Sequence, residues 1–348
     1  MEQLIRIGLD TSKRFFQLHG VDAAERPVLR RQLRRNEVIG FFSRLAPTLV
    51  GLEACGASHY WARELRALGH DARLIAPQLA KPYVKRGKND SADAQAVCEA
   101  ASRPTMRFVA VKSAGQQAAL MLAGQRERLV RQRVQLANTI RGHAAEFGIV
   151  AAKGRAQIPA LLQRVQRDEV PELARARFAD LADEYAGLEA RIANIDARLK
   201  AWYKDNETAR RLADIPGVGP LIASLLVMKT PDSQAFRSGR DYAAWLGLTP
   251  RDHSTAGKAR PGRITRAGDA MLRSLLVVGA TATIWQTRRG AARQASSRQA
   301  SPWLLALLQR KPAKLAAVAL ANKIARIAWK LMTSAERYAG APQPAAIA

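Results

Sequence analysis

The fold of the N-terminal region is decided by the stretch Leu4-Ile5-Arg6-Ile7-Gly8-Leu9-Asp10-Thr11-Ser12-Lys13. Its apolar residues up to Leu9 predict a β-strand, and the carboxylate of Asp10 follows that strand directly. Two more strand patterns follow at residues 15–21 and 28–33. Because the first connection is short, the three strands are expected to form an antiparallel meander.

Helix and strand patterns alternate after this meander. The predicted segments are a helix at 37–45, a strand at 48–52, a helix at 58–68, a strand at 73–76 and a helix from about Ser91. Three antiparallel strands, then strand–helix–strand and a closing helix, is the order of ribonuclease-H-like folds. The sequence therefore predicts an α/β domain over residues 1–107.

Four carboxylates fall where such a fold brings them together. Asp10 follows the first strand, Glu53 follows the fourth, and Asp90 and Asp93 share one face at the start of the closing helix. Taken singly, each acid is explained by a turn or a solvated helix start. Taken together they repel one another unless hard cations bind, and Mg²⁺ prefers oxygen ligands of this kind. The set predicts a site for one or two divalent metal ions and for phosphodiester chemistry.

The charge of the chain indicates a polyanionic partner. Its 348 residues include 56 Lys and Arg against 29 Asp and Glu, a formal net charge of +27. Nucleic acid is favoured over a membrane, because no run of about 20 apolar residues occurs. Two cysteines, Cys55 and Cys98, are too few for a disulfide framework or a Cys-rich zinc site. With no signal peptide pattern, the chain is expected to be cytoplasmic.

Residues 108–206 are predicted to form long helices. The first begins after Ser113 and runs to about Phe147, and the second begins near Pro171. The second carries a heptad seam made of Phe178, Leu181, Tyr185, Leu188, Ile192, Ile195, Leu199 and Trp202. Two alternatives stay open at this point: coiled-coil packing, within or between chains, and an ordinary intramolecular helical hairpin.

Residues 207–338 are expected to form a third, mostly helical domain that binds nucleic acid. The segment 215–223 is typical of a helix-hairpin-helix, in which Gly217 and Gly219 allow the backbone to approach a phosphate. A basic helix is predicted at 312–332, and the Ala- and Pro-rich tail 339–348 is expected to be disordered.

A loop in this third domain combines hydroxyl groups with positive charge. Ser254 and Thr255 lie among five cations, which are Arg251, Lys258, Arg260, Arg263 and Arg266. The hydroxyls either donate to phosphates or, in the case of Ser254, attack phosphorus. From the residues alone, phosphate binding is the favoured interpretation, because serine is common among basic residues.

Several of these segments occur together in one ordered series. The series comprises residues 10–13, 53–56, 88–94, 215–219, 247–251, 254–258 and 320–329. The chain resembles the DEDD insertion-sequence transposases, RNA-guided serine recombinases that work with a bridge RNA or seekRNA. The resemblance covers nearly the whole chain.

The resemblance implies a RuvC-like N-terminal domain joined by a coiled coil to a C-terminal transposase domain. It implies that Asp10, Glu53, Asp90 and Asp93 hold Mg²⁺ or Mn²⁺, and that the nucleophile is Ser254, or Thr255 if the loop aligns one place later. It further implies a homo-oligomer, a dimer or tetramer, whose composite sites join acids and serine of different subunits. A noncoding guide RNA would pair with donor and target DNA.

The activity expected from the resemblance is excision and insertion of a mobile element. One alternative is a metal-dependent endonuclease or Holliday-junction resolvase, in which water replaces the serine as nucleophile. Another is a structural DNA- or RNA-binding protein without catalysis, against which the presence of all four acids argues.

Overall fold

The computed structural model describes residues 4–84, 89–230, 232–255, 257–258, 260–293 and 301–339. The chain forms two compact units, Met1–Ala118 and Ala119–Ala348. The finer domain limits inferred from sequence, 1–107, 108–206, 207–338 and 339–348, stay a prediction.

The first unit is a mixed sheet with helices. In chain order it contains β1 (Arg6–Thr11), β2 (Phe15–Val21), β3 (Pro27–Arg34), α1 (Val38–Phe42), β4 (Leu49–Glu53), α2 (Ser58–Ala67), β5 (Asp71–Ile75), α3 (Pro77–Ala80), α4 (Asp90–Ala101) and β6 (Phe108–Val109). The strand order is β3-β2-β1-β4-β5-β6, with β1–β3 antiparallel and β4 parallel to both β1 and β5. This confirms the ribonuclease-H-like prediction.

Three details of that prediction were wrong. The helix predicted at 37–45 is shorter, because a 3₁₀ turn at Arg35–Glu37 precedes α1 and the helix ends at Phe42. The fifth strand begins two residues earlier than predicted, at Asp71, which pairs with Leu49. The sequence pattern missed this start because Asp71 is polar. The two-residue strand β6 was not predicted, because it is too short to show any periodicity.

The two faces of the sheet are covered differently. On one face, Ile7, Leu9, Phe16 and Trp61 belong to a buried core with α1 and α2. On the other face α4 lies directly on β1, because a Cβ added to Gly8 would stand 2.0 Å from the carbonyl oxygen of Ala94 and 2.4 Å from the amide nitrogen of Cys98. Glycine at this position therefore sets how closely α4 approaches the sheet.

Gly8→Ala is expected to destabilise the protein by about 1–3 kcal/mol, because the added methyl group overpacks the contact between α4 and β1. Urea unfolding of the full chain measures this change. The matched control is Gly40→Ala in α1, where an added Cβ meets nothing within 4 Å. The control is expected to be neutral or stabilising by about 1 kcal/mol, as Ala favours helix over Gly. Equal stability of the two variants would contradict the close approach.

The second unit is largely helical, and the helix that enters it begins in the first. Its elements are α5 (Ala114–Glu146), α6 (Ile158–Arg167), α7 (Glu172–Asp205), α8 (Glu207–Leu212), α9 (Pro220–Lys229), α10 (Gly239–Trp245), β7 (Pro250–Asp252), β8 (Pro261–Ile264), α11 (Ala270–Arg293), α12 (Pro302–Arg310) and α13 (Ala313–Thr333). The α13 helix agrees with the predicted basic helix to within one residue at each end. None of the described helices is long and apolar enough to cross a membrane.

Helices α5 and α7 form an antiparallel hairpin within the chain. Arg126 pairs with Asp196 at 2.5 Å, and Arg133 pairs with Glu189 at 3.1 Å. The residue numbers rise along α5 and fall along α7 from the first pair to the second, so the two helices are antiparallel. Six of the eight seam residues are buried, while Leu181 and Trp202 are partly buried against the same core. The seam thus packs within the chain, an arrangement that both an intramolecular coiled coil and a helical hairpin allow.

Two segments of the second unit were predicted wrongly. The break expected between the long helices contains α6, whose apolar residues Ile158, Leu161 and Val165 are buried in the main core. The segment predicted as a loop around Ser254 contains the β7–β8 hairpin. Beyond Ala339, the predicted disordered tail lies outside the described residues.

Candidate functional site

Three of the four predicted acids converge at one edge of the sheet. Asp10 lies near the end of β1, and Asp90 and Asp93 occupy the first turn of α4. Asn89 caps this helix, since its side-chain oxygen accepts from the amide of Ala92 at 2.8 Å. One carboxylate oxygen from each of the three Asp residues lies within 4.8 Å of the other two. This spacing allows the three side chains to share a cation.

Glu53 lies outside this group of three but interacts with it electrostatically. It is half-buried at the end of β4, next to β1 in the sheet. Burial and the charge of Asp93 raise the pKa of Glu53. The geometry therefore gives three close carboxylates and a fourth near enough for its charge to be felt.

The negative charges of these acids repel one another when no cation is present. Burial, followed by the neighbouring charges of Asp90 and Asp93, raises the pKa of Asp10 to about 6, and Glu53 contributes in the same direction. A backbone hydrogen bond from Thr11 offsets part of this shift. Hard oxygen donors crowded in this way fit a divalent cation such as Mg²⁺ or Mn²⁺.

Titration with Mn²⁺ or Mg²⁺ is expected to raise the melting temperature of the protein. At a hundredfold excess over Kd, the gain is about 2.7 kcal/mol, because only the folded state brings the three carboxylates together. Asp10→Asn is expected to lose most of this response. Asp71→Asn, at an exposed acid of β5 that pairs with Arg73, is the matched control and should keep it. An unchanged response in Asp10→Asn would contradict the assignment.

The predicted serine lies near the tip of the β7–β8 hairpin. Pro250 pairs with Ile264 and Asp252 with Pro261, and the amides and carbonyls of Thr255 and Lys258 close the tip. The five predicted cations of this segment are all exposed: Arg251, Lys258, Arg260, Arg263 and Arg266. The strand pair therefore presents hydroxyls and positive charge to solvent.

Backbone and side-chain bonds hold Ser254 in place. Its amide donates to Oδ1 of Asp252 at 2.8 Å, and its Oγ accepts from the amide of Arg260 at 3.1 Å. Hydrogen bonding from Ser254 lowers the pKa of Asp252. The sequence reasoning overlooked Asp252, although an Asp two residues before a Ser is a known turn signal. Thr255 is instead fixed through its main chain by Lys258.

The two glycines of the predicted helix-hairpin-helix have different surroundings. Gly217 has a φ of +87°, and a Cβ there would stand 2.7 Å from the carbonyl oxygen of Gly279 in α11. Packing against α11 is therefore sufficient reason for glycine at 217. Gly219 is exposed at the start of α9, and an added Cβ would meet nothing within 4 Å. Phosphate contact by either glycine stays a prediction.

Comparison with known proteins gives the same class of protein along the whole chain. A model described as "Transposase IS116/IS110/IS902 family" matches residues 209–296, and a transposase model for the DEDD proteins of IS110 matches residues 7–148. The second match contains all four acids, and the first contains the β7–β8 hairpin.

Whole-length relatives carry similar names. The chain is 63% identical to "Putative transposase y4pF/y4sB" of Sinorhizobium fredii, over 97% of this chain and 86% of that protein. It is 50% identical to "Probable family 20 transposase" of Pseudomonas aeruginosa, over 96% and 98%. It is 38% identical to "Transposase for insertion sequence element IS1328" of Yersinia enterocolitica, again over 96% and 98%.

These matches cover both units and exceed what a shared fold alone would produce. A transposase is an enzyme that binds DNA, in agreement with the excess of positive charge. The carboxylate cluster lies in the DEDD-matched region, which supports a metal site there. The chain belongs to the IS116/IS110/IS902 family of insertion-sequence transposases.

Proposed function

We propose that this transposase excises and inserts its element by serine-mediated, metal-assisted DNA strand exchange guided by a noncoding RNA. The observation that carries the proposal is the convergence of Asp10, Asp90 and Asp93 in a ribonuclease-H-like domain of a transposase. The serine and the RNA are supported by the resemblance of the ordered motifs and by the charge of the chain.

In this proposal the acids hold Mg²⁺ or Mn²⁺ against the DNA backbone. The bound ion would stabilise negative charge on the phosphate oxygens during strand exchange. The chain contributes rigidity, because Asp10 is fixed by β1 and the other two Asp residues by the capped first turn of α4. Glu53 adds a further negative charge at the neighbouring strand end.

Ser254 is the proposed nucleophile. Its Oγ loses a proton and forms a bond to phosphorus, while the bond from phosphorus to a deoxyribose oxygen breaks. That oxygen leaves with the electron pair and takes up a proton. The exposed guanidinium groups of Arg251, Arg260 and Arg263 in the same hairpin would favour binding of the phosphate. In the reverse step, the oxygen of another strand end would attack the phosphorus and release Ser254. One phosphoester bond would again replace another, and new DNA partners would be joined.

The proposed complex also contains a guide RNA and a second subunit. Base pairing would supply the specificity for donor and target DNA, and the protein would hold backbone and shape. The acids and Ser254 belong to separately compact units, which suits a site assembled from different subunits of a dimer or tetramer.

Purified protein is expected to carry RNA transcribed from DNA that flanks its own gene. Sequencing of the copurified RNA and comparison with the element measures this. Removal of the RNA should abolish strand exchange, and addition of the same transcript, but not of one with a scrambled pairing loop, should restore it. Full activity of RNA-free protein would contradict guidance, while leaving the metal and serine chemistry intact.

A further inference from the structure

An open groove of about 620 Å³ lies on the first unit, beside the turn that joins β1 to β2. It is lined by Lys13, Arg14, Phe15, Arg34, Arg35, Asn36, Ile39, Tyr60 and Trp61. No motif from the sequence analysis includes these residues beyond Lys13, and the proposed function does not use them.

The chemistry of this groove fits unpaired nucleotides. Four cations line it and, among its described residues, no carboxylate does, which favours a polyanion. The side chains of Phe15 and Tyr60, which both line the groove, are 45% and 43% exposed. Aromatic faces beside cations bind single strands, because unpaired bases stack on the rings while phosphates meet the charges. In a duplex the base faces are hidden by stacking, so a double helix suits the groove poorly.

Trp61 belongs to the groove wall but is only 3% exposed, so its ring forms part of the wall and is not itself open to a ligand. The guanidinium of Arg35 lies 5.0 Å from the Trp61 ring, which places a phosphate-binding group over the same wall.

The groove lies close to the carboxylate cluster along the chain. Lys13 is three residues after Asp10, so their Cα atoms are at most about 11 Å apart. That distance is about three nucleotide steps of a stacked strand. We propose that the groove binds unpaired nucleotides of the DNA strand next to the phosphate held at the acids; the choice of DNA over RNA rests on the proposed function.

Photocrosslinking of the full-length chain tests this assignment. A short single-stranded DNA with 5-iodouracil is irradiated with the Asp10→Asn protein in chelator, so neither metal nor cleavage is required. The adduct is located by peptide mass spectrometry. It is expected in the peptides that contain Phe15 or Tyr60. The double variant Phe15→Ala/Tyr60→Ala should lower its yield by at least about tenfold. Leu79→Ala, at an exposed apolar side chain outside the groove, should leave it unchanged.

A charge variant provides a second, independent measurement. Arg14→Gln should reduce the salt dependence of adduct formation by about one phosphate contact, whereas Arg44→Gln, an exposed arginine outside the groove, should not. Equal melting temperatures of all variants would show that the fold is intact.

Three results would overturn the assignment: no adduct in either peptide, an equal adduct with the duplex form, or an adduct with the matching RNA alone. Failure of the proposed function has a different signature. In that case wild-type protein leaves DNA uncut or forms no bond through Ser254, while the photoadduct at Phe15 or Tyr60 persists.

Discussion

Asp10→Asn is expected to lower the rate of DNA strand cleavage by at least about a thousandfold. A metal ion on a phosphate contributes several kcal/mol of transition-state stabilisation, and about 4 kcal/mol corresponds to three orders of magnitude in rate. Among the proposed ligands, Asp10 is the one whose pKa is raised by burial and then by the charges of Asp90, Asp93 and Glu53. Single-turnover cleavage of labelled element-end DNA, with RNA and Mg²⁺ present, measures the change.

The same variant separates a metal role from a structural one. Asn keeps the shape of Asp but removes a charge that burial and its neighbours disfavour. The melting temperature of the metal-free variant should therefore equal or exceed that of the wild type. The matched control Asp71→Asn should cleave within about twofold of wild type, as expected for a surface acid. Cleavage by Asp10→Asn within a few-fold of wild type, or loss of activity only through unfolding, would remove the metal site from the mechanism.

Much of the N-terminal fold was predictable because its signals are local. The meander, the strand that ends at Glu53 and the helix that carries Asp90 and Asp93 follow from runs of apolar residues and from caps. The convergence of Asp10 with Asp90 and Asp93 then follows from the packing of α4 on β1. The exact membership of the cluster does not, since it depends on distances between individual carboxylate oxygens, which group the three Asp residues without Glu53.

Other features depend on contacts distant in sequence. The seam sequence of α7 does not identify the helix it packs against, whereas the pairs Arg126–Asp196 and Arg133–Glu189 place α5 beside it. Gly217 was interpreted from its turn motif alone, whereas the reason for glycine includes Gly279, more than sixty residues away. The two short strands beside Ser254 have the sequences PRD and PGRI, in which Pro, Asp and Gly are poor strand formers, so strand propensity does not predict their pairing.

Ser254→Ala is expected to abolish the covalent bond between protein and DNA, a loss of at least about a thousandfold, because removal of a catalytic nucleophile leaves only binding and charge stabilisation. Element-end DNA labelled near the cut, run on a denaturing gel after protein digestion, detects the peptide-linked strand. Wild-type protein should give the adduct and Ser254→Ala should not, while both bind the DNA equally.

Thr255→Val is the matched control for this serine, because it removes the neighbouring hydroxyl at nearly constant shape. Ser254 is the proposed nucleophile because a primary hydroxyl is less hindered than that of threonine, and its Oγ accepts from the amide of Arg260 at 3.1 Å. The control should therefore keep the adduct. An adduct lost in Thr255→Val but kept in Ser254→Ala would assign the nucleophile to Thr255. Cut DNA with no adduct in wild-type protein would instead assign the attack to water, and the acids alone would then account for the chemistry.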